Sequence, residues 1–132
     1  MVRHRQFKTP DFVTVTTSYT TIIEVWPEGQ ADVVNAEVES AAASAAALSS
    51  FKMQLKDHKD GEWYDFLTDA EFEAVDKKAM LFCSPTDPDD LAAGEKSHIQ
   101  VLVRAAYGAR FQAKVAASTA KIAIRGGLKA NA

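Results

Sequence analysis

Three histidines, a lone cysteine and several clustered acids are the residues of this chain able to hold a metal or move a proton. His4, His58 and His98 are far apart, and none has a second His or Cys at ligand spacing, so they read as solvated or strand-surface imidazoles. Cys83, in Met80-Leu81-Phe82-Cys83, can form no internal disulfide and reads as a buried structural thiol rather than a nucleophile. Asp57-His58-Lys59-Asp60-Gly61-Glu62 gathers acids around a glycine without the alternating acids of a calcium loop, and a hairpin turn explains the same residues. Gly126-Gly127 follows a strand pattern but lacks the lysine, serine or helix of a phosphate cradle. Asp89 and Asp90 adjoin in a loop where both stay ionised, whereas general acid catalysis needs one of them buried. The expectation is a protein that is not an enzyme and uses no cofactor and no metal.

Charge is sorted along the chain. Arg3, Arg5 and Lys8 open it with no acid among the first ten residues, and Lys96, Arg104, Arg110, Lys114, Lys121, Arg125 and Lys129 close it with none after Glu95. All 18 acids fall between, opposed there by Lys52, Lys56, Lys59, Lys77 and Lys78 alone. The formal −3 therefore hides about +10 on the ends and about −13 in the middle, a pattern that favours charge-directed association. Arg3, Arg5, Lys8, Lys121, Arg125 and Lys129 are the expected partner-binding residues, docking cationic ends on an acidic neighbour. A basic stripe through Arg104, Arg110, Lys114, Lys121 and Arg125 raises nucleic acid as a partner. The scarcity of aromatics beside it, Tyr107 and Phe111, and the acidic middle argue against that.

The elements that must carry these residues are mostly strands. Phe12 to Trp26 is crowded with β-branched and aromatic residues and ends in Pro27-Glu28-Gly29, which predicts one long or two short strands. Ser50–Leu55 alternates polar and apolar, and with Glu62–Leu67 across a turn-rich loop it predicts a β-hairpin. Ile99–Arg104 and Arg110–Val115 predict a second hairpin about Tyr107-Gly108, and Lys121–Arg125 a last strand ending at Gly126-Gly127. Asn35 to Ser50, rich in alanine with Glu37 and Glu39 early, is open between a short helix and a flat strand. Thr68–Val75 is open between a short helix and a loop, and Ser84–Asp90 reads as a loop. A length of 132 residues and 47% hydrophobic composition fit one domain. No apolar run approaches a bilayer span, and the start lacks a secretory signal's apolar region, so no membrane partner is expected.

Across Ser50 to Val115, "FKMQLKDHKDGEWYDF" and "HIQVLVRAAYGARFQAKV" resemble the β-sandwich structural proteins of tailed-phage virions, above all capsid cement or decoration proteins. The matching positions are Phe51, Met53, Leu55, Asp60, Gly61, Trp63, Phe66, Val101, Val103, Tyr107, Gly108 and Phe111. The resemblance implies an all-β, jelly-roll-like sandwich, placed over residues 12–125; the basic N-terminal arm at 1–11 and the alanine-rich stretch depart from the family's pattern, and residues 126–132 read as a tail. The resemblance also implies a non-enzymatic protein on the capsid exterior that binds and stabilises the assembled major-capsid lattice, as a dimer or trimer. The alternative is a phage tail or baseplate module, with Trp26, Trp63 and Tyr64 stacking on sugar rings if it binds carbohydrate.

Overall fold

The computed structural model describes residues 2–68, 72, 80–85, 87–103 and 106–131, with backbone alone at 2–4, 80–85 and 130–131. Ten strands follow in order: β1 (Val2–Lys8), β2 (Val13–Val15), β3 (Thr20–Val25), β4 (Val33–Ser40), β5 (Ser50–Lys56), β6 (Tyr64–Leu67), β7 (Met80–Pro85), β8 (Lys96–Leu102), β9 (Gly108–Lys114) and β10 (Ala120–Asn131). A 3-10 turn at Pro88–Asp90 precedes β8.

The strands form two antiparallel sheets. Sheet A runs β1-β10-β4-β8-β7, with β2 also on β10, and sheet B runs β3-β9-β5-β6. The pairings β5–β6, β4–β8, β3–β9 and β1/β2–β10 are nested, as in one long hairpin whose tip is the β5–β6 loop. Pairing of β10 with β4 and of β9 with β5 rolls that hairpin into two facing sheets. This is the jelly-roll order, two Greek keys in a double sheet, with β7 added at one edge.

Period-two patterning builds the core. In β4, Val34, Ala36, Val38 and Ser40 are buried and the residues between them are not. Strand β5 buries Phe51, Met53 and Leu55, and β9 buries Ala109, Phe111 and Ala113. Ile99, Val101, Ile122 and Ile124 supply the facing layer from sheet A. Phe51 packs edge-on to Phe72 with centroids 4.9 Å apart and stacks on Phe111 at 5.7 Å.

Several expectations meet a different outcome. The alanine-rich stretch holds no helix: its start is β4, because tertiary burial of alternate residues outweighs alanine's helix propensity. Ala41–Leu48 is a connector tied to the rest of the chain by backbone bonds, Ala41 N–H to the Lys121 carbonyl (2.8 Å) and Ala46 N–H to that of Thr119 (3.0 Å). The second hairpin does not form. Strand β8 pairs with β4 and β7 while β9 pairs with β3 and β5, so the chain changes sheets at the Tyr107-Gly108 corner. Phe12–Trp26 gives two short strands, β2 and β3. The segment read as a basic arm is β1, paired with β10 from Val2↔Asn131 to Lys8↔Arg125. Strand β10 runs through Gly126 and Gly127, which therefore lie in a strand rather than a tail. A Cβ at Gly126 would sit 1.9 Å from the Asn35 carbonyl oxygen, so only glycine admits this approach of β10 to β4. Ser84 and Pro85 close β7 and Pro88–Asp90 form the 3-10 turn, within the stretch expected to be loop. The Thr68–Val75 question falls mostly outside the described residues, as does the side chain of Cys83.

Candidate functional site

The sorted charges meet inside the fold. On the outer face of sheet A the antiparallel registers align Lys8, Arg125, Glu37 and His98 across four strands. The Arg125 guanidinium donates to Glu37 Oε1 from Nε at 2.9 Å and approaches it at 2.7 Å from its terminal nitrogen. Lys96 Nζ lies 3.9 Å from both Glu37 and Glu39, and His98 Nδ1 lies 3.8 Å from Glu37. Middle-of-chain acid is thus answered by late-chain base across neighbouring strands, so part of the sequence asymmetry is internal pairing.

The structure brings the expected partner-binding residues onto two adjacent strands, Arg3, Arg5 and Lys8 on β1 and Lys121, Arg125 and Lys129 on β10. The side chain of Arg3 lies outside the described residues. Arg5 donates to the Trp26 and Pro27 carbonyls, both at 2.9 Å, and so ties β1 to the loop after β3. Arg125 is held by Glu37. Lys8 and Lys121 are exposed and Lys129 is half-buried. Where β1 breaks before β2, Lys8, Thr9, Pro10, Phe12, Glu39 and Arg125 line a shallow hollow of about 250 Å³.

A second constellation lies on the outer face of sheet B, and charge counting alone did not single it out. Strand β5 points Lys52, Gln54 and Lys56 outward, and β9 points Arg110, Gln112 and Lys114 beside them, because their alternate neighbours fill the core. Arg110 Nε donates to Gln54 Oε1, and Gln54 Nε2 donates to Asp65 Oδ1, each at 2.7 Å. Lys52 pairs with Asp65 at 3.2 Å and Arg110 with Glu24 at 3.6 Å. The Gln54 hydrogen bond, with Lys52 beside it, holds the Asp65 carboxyl below its ordinary value.

Aromatic rings stand at both ends of this face. At one end the centroids of Trp26 and Trp63 are 5.7 Å apart and those of Trp26 and Tyr107 5.9 Å apart. Lys56 Nζ lies 5.6 Å and 5.2 Å from the two indoles, and the Arg110 guanidinium 4.5 Å from that of Trp63. Gly108 permits this corner, since a Cβ there would come within 2.9 Å of Trp26 and 3.1 Å of Trp63. Backbone bonds from Glu28 N–H to the Tyr107 carbonyl and from Tyr107 N–H to that of Lys56, both 2.9 Å, lock the three loops together. At the other end Lys52 and Lys114 lie 4.3 Å and 4.7 Å from the Tyr19 ring, whose hydroxyl hydrogen-bonds Ser50. The sequence pointed to parts of this site, Trp26 and Trp63 as stacking rings and Arg110 and Lys114 in a basic stripe, but not to their meeting, because the rings reach it from loops distant in the chain.

Tyr64 is exposed on the hairpin tip, apart from the tryptophan pair, and donates to Asp57 at 2.9 Å. Partial burial and this bond to Asp57 raise its hydroxyl above the ordinary tyrosine value. Among the described residues no group of three or more His, Cys, Asp or Glu could hold a metal, and no helix is long and apolar enough to cross a membrane.

The fold is similar to that of the SPBc2 prophage-derived protein YomS, with a TM-score of 0.53 over 96% of this chain and 95% of that one at 9% identity. What the likeness defines is a class of architecture, the two-sheet antiparallel sandwich. No protein-family model and no curated protein sequence matches the chain.

Proposed function

We propose that this chain is a non-enzymatic structural protein of a tailed-phage virion, of the capsid cement or decoration type. The observation that carries the reading is the sandwich itself, a fold like that of a prophage-derived protein over nearly the whole of both chains. An outward face bearing cations on β5 and β9 supports it as a surface suited to protein docking. The partner is the major capsid protein on the particle exterior, and the protein acts there as a dimer or trimer. Binding the assembled lattice in preference to loose subunits stabilises the shell by mass action, about 2.7 kcal/mol per site at a hundredfold excess over Kd.

The test is thermal disruption of purified particles stripped of this chain, with and without its readdition. The disruption midpoint is expected to rise with added protein and to saturate. A midpoint indifferent to the protein would remove the cement role.

One observation favours the second reading, a tail or baseplate module that binds carbohydrate: Trp26 is 38% exposed beside Trp63. Lys56 and Arg110 already lie near these rings, so a neutral sugar would have to displace them. Retention on host surface polysaccharide that Trp26→Ala abolishes would favour this reading over the first.

A further inference from the structure

We infer that the outer face of sheet B, rather than the strip formed by β1 and β10, is the docking surface, and that its occupant is an acidic protein surface. The inference deepens the proposed function and rests on it for the partner's identity. Lys56 and Lys114 carry the argument. Each lies near an aromatic ring, and among the described residues neither has a carboxylate within 4.0 Å. They are positioned cations with no counter-charge among the described residues. Holding a lysine against a ring before binding removes part of the side-chain entropy that a free lysine loses at an interface.

Composition points the same way. Tryptophan, tyrosine and arginine dominate interface hot spots, and this face gathers Trp26, Trp63, Tyr107, Tyr19 and Arg110. On sheet A Arg125 is bonded to Glu37 and Arg5 to two backbone carbonyls, and among the described residues the exposed Lys8 and Lys121 lie over no aromatic ring that would position them.

Register supplies the spacing. Lys56 lies opposite Gly108, and Lys114 opposite Ser50, at the two ends of β5. At about 3.3 Å per residue the two backbone positions stand roughly 20 Å apart along the face, with Gln54, Arg110 and Gln112 between them. Glu24 and Asp65 lie on the same face, and Asp57, Asp60 and Glu62 are in the loop beyond Lys56. A continuous phosphate chain would run against these acids, whereas carboxylates on a folded surface can be placed to meet the cations alone.

The experiment compares wild type, Lys56→Glu/Lys114→Glu and Lys121→Glu/Lys129→Glu, each first shown to melt as wild type does, in cosedimentation with purified particles. The sheet B pair is expected to lose about tenfold or more in apparent affinity, with the sheet A pair within about twofold of wild type. Equal retention of all three, or loss in the sheet A pair alone, overturns the inference while leaving the proposed function standing. If wild type fails to sediment with any particle, the proposed function falls. The surface assignment is then read by fluorescence anisotropy with a Glu-rich 20-residue peptide and a single-stranded 20-nucleotide DNA. Peptide binding that the sheet B pair loses supports it. No peptide binding, or preferential DNA binding at this face, overturns it.

Discussion

At the scale of single residues, the fold turns on which side of a sheet a side chain occupies. Met53 is fully buried between the sheets while Lys52, its neighbour, lies on the outer face, half-buried against Asp65 and the Tyr19 ring. Met53→Asp should cost at least about 3 kcal/mol through an unpaired buried charge, and Lys52→Gln, which removes the ion pair without setting two acids together, about 1 kcal/mol or less, as read from denaturant melts. Gly126 and Gly127 offer a sharper contrast. Gly126→Ala must push β10 from the Asn35 carbonyl and should cost about 2–4 kcal/mol, while Gly127→Ala, whose Cβ would find its nearest atom at 3.5 Å, should change stability by about 0.5 kcal/mol or less. Asp65 sets a pH dependence. Its folded-state pKa is lowered from 3.8, so its contribution is present above that value and is lost as pH falls through the lower folded one. Asp65→Asn should therefore flatten the dependence of the melting midpoint on pH below about 4. The effect should be small, because the carboxylate is half exposed and solvent screens it.

At the scale of elements, the β1–β10 ladder carries the main consequence. The sequence read residues 1–11 as a basic arm outside the sandwich, yet β1 covers β10 over seven register positions from Val2 to Lys8. Deleting 1–10 should expose the unpaired groups of β10 and lower the melting midpoint by several degrees or more, with lost solubility in sedimentation assays. An unchanged melt would show that the ladder contributes nothing. The same contrast explains what the sequence could reveal. The β5–β6 hairpin and the parity of Phe51, Met53 and Leu55 were legible, because local alternation and an Asp-Gly turn encode both. The fates of β8 and β9 were not, since each alternates correctly whichever strand it pairs with, and jelly-roll partners lie far apart in sequence. Ala36 in β4 was ambiguous because a small side chain satisfies a helix and a flat strand alike. The Trp26–Trp63–Tyr107 corner was hidden for the same reason as the strand partners: its residues converge from three loops.

At the scale of the whole molecule, the sorted charge resolves into two parts. Some of it is spent within sheet A, where Glu37 meets Arg125, Lys96 and His98, and some remains outward on sheet B at Lys56 and Lys114. Association steered by the outward part should slow as ionic strength rises from about 0.05 to 0.5 M and the Debye length falls from roughly 14 to 4 Å. Dissociation should respond less, because the aromatic contacts of the face are not screened. Surface plasmon resonance on immobilised particles would separate the two rates, and an equal response of both would argue against steering. The central claim is recognition of an assembled lattice, and cosedimentation against assembled capsids and against dissociated major-capsid subunits tests it most directly. The account predicts saturable binding to capsids and none to free subunits at the same concentration; equal binding to both, or binding to neither, would contradict it.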